Sequence, residues 1–127
     1  MDSEFRQLDT RERGLLEKLL EAEFPGRDEL RTQLGSLTAK QLGEDGTLKL
    51  RCTSGSPSPS YYLLRAEGWC KDADGMNICV LLHLNGEGFM SMLEIFKEDG
   101  SEIINPPVAD NMMPLLPEHG GYKPGEV

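Results

Sequence analysis

Three turn signals, Asp74-Gly75, Asn85-Gly86 and Asp99-Gly100, cut residues 61–104 into strand-length pieces. An Asp-Gly or Asn-Gly pair between apolar runs favours a tight hairpin, because these residues accept the backbone angles such a turn requires. The spacing therefore predicts an antiparallel sheet. Two of the pieces, 76–84 and 89–97, are apolar on both alternating faces. A sheet with one buried face normally turns polar side chains outward on the other. A second face with this much apolar surface requires a cover or a ligand.

The first hairpin sets the register. A three-residue loop, Ala73-Asp74-Gly75, fits a type I turn with a glycine bulge. It places Asp72 opposite Met76, Cys70 opposite Ile78, Gly68 opposite Val80 and Ala66 opposite Leu82. The inner face then holds Leu64, Ala66, Gly68 and Cys70 beside Ile78, Val80, Leu82 and Leu84. The hairpin around Asn85-Gly86-Glu87-Gly88 adds Phe89, Leu93 and Ile95. A slip of one residue would exchange the faces of 61–72.

An N-terminal helix is predicted over 10–24. Asp9 and Glu12 have capping-box spacing, and Leu15, Leu16, Leu19, Leu20 and Phe24 form one apolar stripe. Arg11, Glu12, Glu17, Lys18 and Glu21 are expected to face water. Pro25-Gly26 ends this helix, and a shorter one follows at about 27–34, with Leu30 and Leu34 inward. Residues 37–42 and 47–53 flank the turn Gly43-Glu44-Asp45-Gly46 as two strands, the second alternating Leu48, Leu50 and Cys52 with Lys49 and Arg51. The stretch SGSPSPS at 54–60 cannot form regular structure and is expected to be an exposed, mobile loop. A further short strand is expected at 102–104.

Pro106, Pro107, Pro114 and Pro117 forbid long helices in the tail at 105–127, yet Val108, Met112, Met113, Leu115 and Leu116 are apolar. A disordered tail seldom carries so many apolar residues, so part of 106–117 is expected to pack, with the end from His119 frayed. The sum is one α+β domain over residues 1–127. Its N-terminal helices pack on one face of an antiparallel meander of about five strands.

The remaining totals exclude function classes. A net charge of −9, from 22 acidic and 13 basic residues, argues against nucleic acid as a partner and suits a basic target. No apolar run reaches the length of about 18 residues that a membrane span needs. The opening MDSEFRQLDTRERG lacks an apolar signal core. Cys52, Cys70 and Cys79 are odd in number and lack CxxC spacing, which points to reduced thiols in a cytoplasmic protein. No metal or other cofactor is expected. Asp72-Ala73-Asp74-Gly75 begins like a calcium loop, but His83 stands where the closing acidic ligand belongs, so it reads as a hairpin turn. Gly86 and Gly88 precede a strand rather than a helix, so they do not form a phosphate cradle.

By the same alternation, the outer face carries Arg65, Glu67 and Trp69, with Cys79, Leu81 and His83, then Met90, Met92, Glu94 and Phe96. Three readings compete. The tail or a second copy of the chain covers the apolar part, the methionines suiting adaptable contacts. Alternatively, Trp69 stacks on a small molecule or peptide while Arg65 grips a carboxylate or phosphate. Or the face is catalytic: His83 pairs with Glu67 or Glu94 as acid and base, or the two carboxylates stand across a cleft and suit glycoside chemistry. The leading expectation is an accessory protein without enzymatic activity. It would bind a protein partner, or itself as a homodimer, through this face. The alternative is a small-ligand-binding or hydrolytic domain using the Arg, Glu and His cluster.

The segments LLEKLLEAEFPGRDEL at 15–30, VLLHL at 80–84 and LEIFKEDGSEI at 93–103 resemble a family of small bacterial domains of unknown function. The likeness spans roughly 8–104 and rests on the FPGRDEL and EIFKEDGS turns together. It implies an α+β domain with a helical N-terminus and an antiparallel sheet, and it assigns no catalytic residue.

Overall fold

Asp9 starts the first helix as expected. Its carboxylate accepts the Glu12 N–H at 2.7 Å, and the Glu12 carboxylate accepts the Asp9 N–H at 2.9 Å. These two bonds satisfy donors that a helix start leaves open. The computed structural model describes residues 5–21, 25–59 and 66–115. Helix α1 spans Thr10–Leu19. It is shorter than the predicted 10–24, and Phe24 of the stripe lies outside the described residues. Leu15, Leu16, Leu19 and Leu20 all enter the core. Glu12 does not face water. It is 3% exposed and is gripped by both Arg6 guanidinium nitrogens, at 2.7 and 2.8 Å. Helix α2, Arg27–Gln33, buries Leu30 and Gln33.

The sheet is antiparallel and has seven strands: β1 (Arg6–Gln7), β2 (Leu37–Gln41), β3 (Leu48–Cys52), β4 (Glu67–Lys71), β5 (Asn77–Leu84), β6 (Met90–Lys97) and β7 (Met113–Leu115). Its order is β1-β2-β3-β6-β5-β4-β7. The predicted β4–β5 register holds, with Gly68 opposite Val80 and Cys70 opposite Ile78. The simple meander does not. Strand β3 pairs with β6, through Leu48–Leu93 and Lys49–Met92, and β4 lies beyond β5. Tight turns tie sequence neighbours together, but the 54–60 stretch is not a tight turn and leaves the partner of β3 open. The inner face of β2 to β6 packs with α1 and Leu30 into the core.

Two edge strands were not anticipated, β1 beside β2 and β7 beside β4. The tail thus extends the sheet. Just before β7, Met112 turns onto the inner face and is buried there. Gly68 makes room for it: a Cβ on Gly68 would stand 2.6 Å from the Met112 Cγ and Sδ atoms and 3.3 Å from Leu19 Cδ2. No strand forms at 102–104. Instead the Ile104 and Asn105 N–H groups donate to the Asp72 carboxylate, at 2.7 and 2.9 Å.

The register shifts between His83 and Leu84: His83 faces Met92 while Leu84 faces Met90, so Ser91 is an extra residue. A bulge of this kind reverses the alternation beyond it. Met90, expected on the outer face, is therefore 1% exposed in the core, and Phe89 is only half-buried. The 54–59 loop is exposed as expected except at Ser58, but it is tied to its neighbours. Ser58 is buried and its N–H donates to Gly88 O at 2.9 Å. Thr32 Oγ1 accepts the Ser56 N–H at 2.8 Å. Gly88, at φ +90°, allows the approach: its Cβ position would lie 2.5 Å from Ser58 O.

Candidate functional site

The outer face is built by register, row by row. Trp69, Cys79 and Phe96 lie opposite one another on β4, β5 and β6, and Met113 of β7 lies opposite Trp69. The next row holds Glu67, Leu81 and Glu94. The third runs from His83 and Met92 to Lys49 and Lys40. Arg51 and Thr38 form a fourth on β3 and β2. Glu67, Trp69, His83, Met92, Glu94 and Phe96 thus share one face. Met90 does not, and Arg65 lies outside the described residues.

Within the face, each carboxylate has its own partner. Trp69 Nε1 donates to Glu67 Oε2 at 2.8 Å, which ties the indole to a side chain of its own strand. His83 Nε2 and Glu94 Oε1 are 2.9 Å apart across β5 and β6, both partly open to solvent. Leu81 stands between Glu67 and Glu94, so their backbones are about 10 Å apart. Cys79 is buried beneath them, and its thiol is pushed up to about 12, by burial first and then by the Glu67 and Glu94 charges. Burial and this shift both disfavour the thiolate that a cysteine nucleophile needs.

Apolar groups remain open around this frame. Met113 is 74% exposed and Phe96 37%. On the β2–β3 side the face is basic: Lys40 and Lys49 lie side by side, and the Arg51 guanidinium sits 4.2 Å from the Phe5 ring centroid. Counting Lys71, which bonds Asn77 Oδ1 at 3.2 Å, the strands present four cations outward against Glu67 and Glu94. The face therefore differs in charge from the chain as a whole, at −9. The sequence marks Lys49 and Arg51 as alternating positions of a half-buried strand and Met113 as part of a tail that packs, but places none of the three in the site. The alternation of 48–52 signalled that the two cations point outward, but only the β3–β6 pairing brings them to this face.

Two surface hollows lie elsewhere. One, of ≈ 400 Å³, is lined by Thr10, Arg11, Gly14, Val108, Ala109 and Asp110, and the other, of ≈ 260 Å³, by the turns at 44–45 and 100–103. Among the described residues no group of three or more His, Cys, Asp or Glu is placed to hold a metal ion. No helix among them is long and apolar enough to cross a membrane.

A family model described as a domain of unknown function, DUF6984, matches residues 5–107. The chain belongs to this family. The match takes in every element from β1 to β6, and so the outer face of the described residues except β7. No curated protein and no solved structure matches the chain.

Proposed function

We propose that this member of the family is a protein-binding module that docks a partner on the outer face of its sheet. The observation that carries this is the open row Met113–Trp69–Phe96, with the indole held in place by Glu67. A rigid aromatic anchor amid exposed apolar side chains, with charges around it, has the anatomy of a protein interface. A photo-crosslinking residue at position 96, introduced in cells, tests it. A discrete protein adduct is expected there, and not from the same residue at exposed position 31 on α2. Equal, diffuse labelling at both positions would sink the reading. The FPGRDEL and EIFKEDGS turns and three free thiols support placing the chain among small bacterial, cytoplasmic domains.

A second reading rests on the 2.9 Å His83–Glu94 pair, which has the geometry of an oriented general base or a ligand clamp. A thermal shift caused by a small carboxylate or phosphate, and lost in His83→Ala, would favour it over docking.

A further inference from the structure

We propose that the edge of β4 is an acceptor site for an extended, apolar peptide of a partner protein, and that the chain's own tail at 108–115 occupies it as an exchangeable strand. The site is separate from the outer face and does not depend on docking there. Ala66 O accepts the Leu82 N–H at 2.9 Å, and the Asp72 N–H donates to Met76 O at 2.8 Å, so the even-numbered residues of this strand turn their backbone groups to β5. Successive residues of an antiparallel strand turn these groups to opposite sides. Glu67 and Trp69 therefore turn theirs to β7, opposite Leu115 and Met113. Pro114, opposite Gly68, faces away from β4 and has no N–H to offer on that outer side. A further strand finds no donor at the middle of β7. A strand that joins this end of the sheet with a full ladder must take the place of β7.

Beside the edge lies a slot for one side chain. Gly68 leaves the inner face bare, and Met112 fills the space against Gly68 and Leu19. A backbone ladder with a side-chain pocket is the composition of strand addition, the ladder giving affinity and the pocket selectivity. The side chain this slot selects is long, flexible and apolar, as methionine is. The tail holds the slot lightly. Up to Pro107 the chain is tied by polar bonds, from the Ile104 and Asn105 N–H groups to Asp72 and from Arg11 to Pro107 O at 3.1 Å. From 108 to 114, Met112 is the one buried residue. The span 108–110 borders the ≈ 400 Å³ hollow beside Thr10 and Gly14. The family match stops at 107, so it takes in β4 but not the strand that covers its edge. A three-residue strand with one buried anchor opens at a lower cost than the strands of the sheet centre.

The probe is a fluorescein-labelled peptide of residues 108–115, VADNMMPL, titrated with the full chain and read by anisotropy. In wild type the attached tail competes at an effective concentration on the order of millimolar, so binding is weak. Met112→Ala empties the slot in the attached tail. The peptide should bind this variant at least about ten-fold more tightly than wild type, and a peptide that itself carries Met112→Ala should lose the gain. Equal affinity for wild type and variant, or equal binding of the two peptides, overturns the proposal. Hydrogen exchange of the unaltered chain gives a measurement that needs no variant. The Met113 and Leu115 amides should exchange on the order of 100-fold faster than those of Cys79 and Leu81. Equal protection overturns the proposal, because β7 then opens only with the whole domain. Wild-type dimers in sedimentation that the peptide dissociates would make a second copy the occupant and overturn the separate partner.

Discussion

The Gln33 side-chain oxygen accepts the Met90 backbone N–H at 2.8 Å, joining the end of α2 to the first residue of β6. The same amide donates to Ser56 O at 2.8 Å and to Gly88 O at 3.0 Å. Strands β3 and β6 pair over only two positions and then diverge, so the start of β6 lacks a neighbour on that side. A glutamine with no solvent exposure takes the place of the missing strand.

Gln33→Ala should therefore cost about 1–3 kcal/mol, because it strands the buried Met90 N–H and removes one of the two donors to Gly88 O, which keeps the Ser58 N–H. Urea unfolding checks this, with an unchanged slope expected. A loss below about 0.5 kcal/mol would show that Gln33 is a bystander.

Acid should destabilise the fold through Asp72 and Glu12. Lys97 is buried on the inner face, 2.9 Å from Asp72 and 2.7 Å from Asp74, and it donates to Glu102 O. Burial pushes the Asp72 carboxyl up, but the Ile104 N–H, Lys97 and the Asn105 and Ala73 N–H groups outweigh it and hold the group well below the usual range. Glu12 is lowered chiefly by its hydrogen bond to Arg6. A carboxylate depressed on folding contributes stability above its unfolded pKa of about 4, and that contribution is lost as pH falls toward the folded value. Lys97 is raised, chiefly by Asp74, so its contribution is present below about 10.4 and lost above. Melting temperature should be flat between about pH 5 and pH 8.5 and fall on both sides, the alkaline fall starting with Cys79 and Cys70, whose thiols are raised by burial and ionise first in the unfolded chain. Asp72→Asn should flatten the acid limb. Lys97→Met, which leaves Asp72 buried without its cation, should lower the melting temperature by on the order of 10 °C at pH 7.

Gly68→Ala should cost about 1–3 kcal/mol by driving a methyl group into Met112. The cost should shrink when Met112→Ala is present, since the clash is with that flexible side chain. A double-mutant cycle reads this directly, and strict additivity would show that the tail does not pack against Gly68.

Alkylation should distinguish the three thiols. Cys70 and Cys79 are buried and both are raised, chiefly by burial, whereas Cys52 is half-buried at the sheet end. Iodoacetamide on the folded protein should label Cys52 first, and all three in urea, as read by peptide mass spectrometry. Early labelling of Cys79 would contradict its burial under Glu67 and Glu94.

Much of the outer face was legible because one turn governed it. Asp72 to Met76 is a local hairpin, and once its register was set, Glu67, Trp69, Cys79, Leu81 and His83 followed by alternation alone. Met92, Glu94 and Phe96 followed in the same way. Met90 failed because a single inserted residue, Ser91, reverses alternation, and nothing in its chemistry marks a bulge. Glu12 failed because its capping role gave no sign that Arg6 would close over it from a two-residue strand.

The sequence by itself determined what neighbours in the chain decide between them: the capping box at Asp9, the leucine stripe, the hairpins and the faces of β4 and β5. Each depends on groups a few residues apart, whose geometry the local residue types dictate. Tertiary structure alone decided that β3 joins β6, that the tail becomes an edge strand, and that Gln33 fills the gap between strands. These pairings bring together residues 23 to 57 positions apart or more, as in Gln33 with Ser56 and Met90. Their selection depends on the whole core closing at once, which no local pattern records. For the same reason the charge of the outer face, where Lys49 and Arg51 of β3 join the face that carries Glu94 of β6, came into view only when those distant strands were set in one sheet.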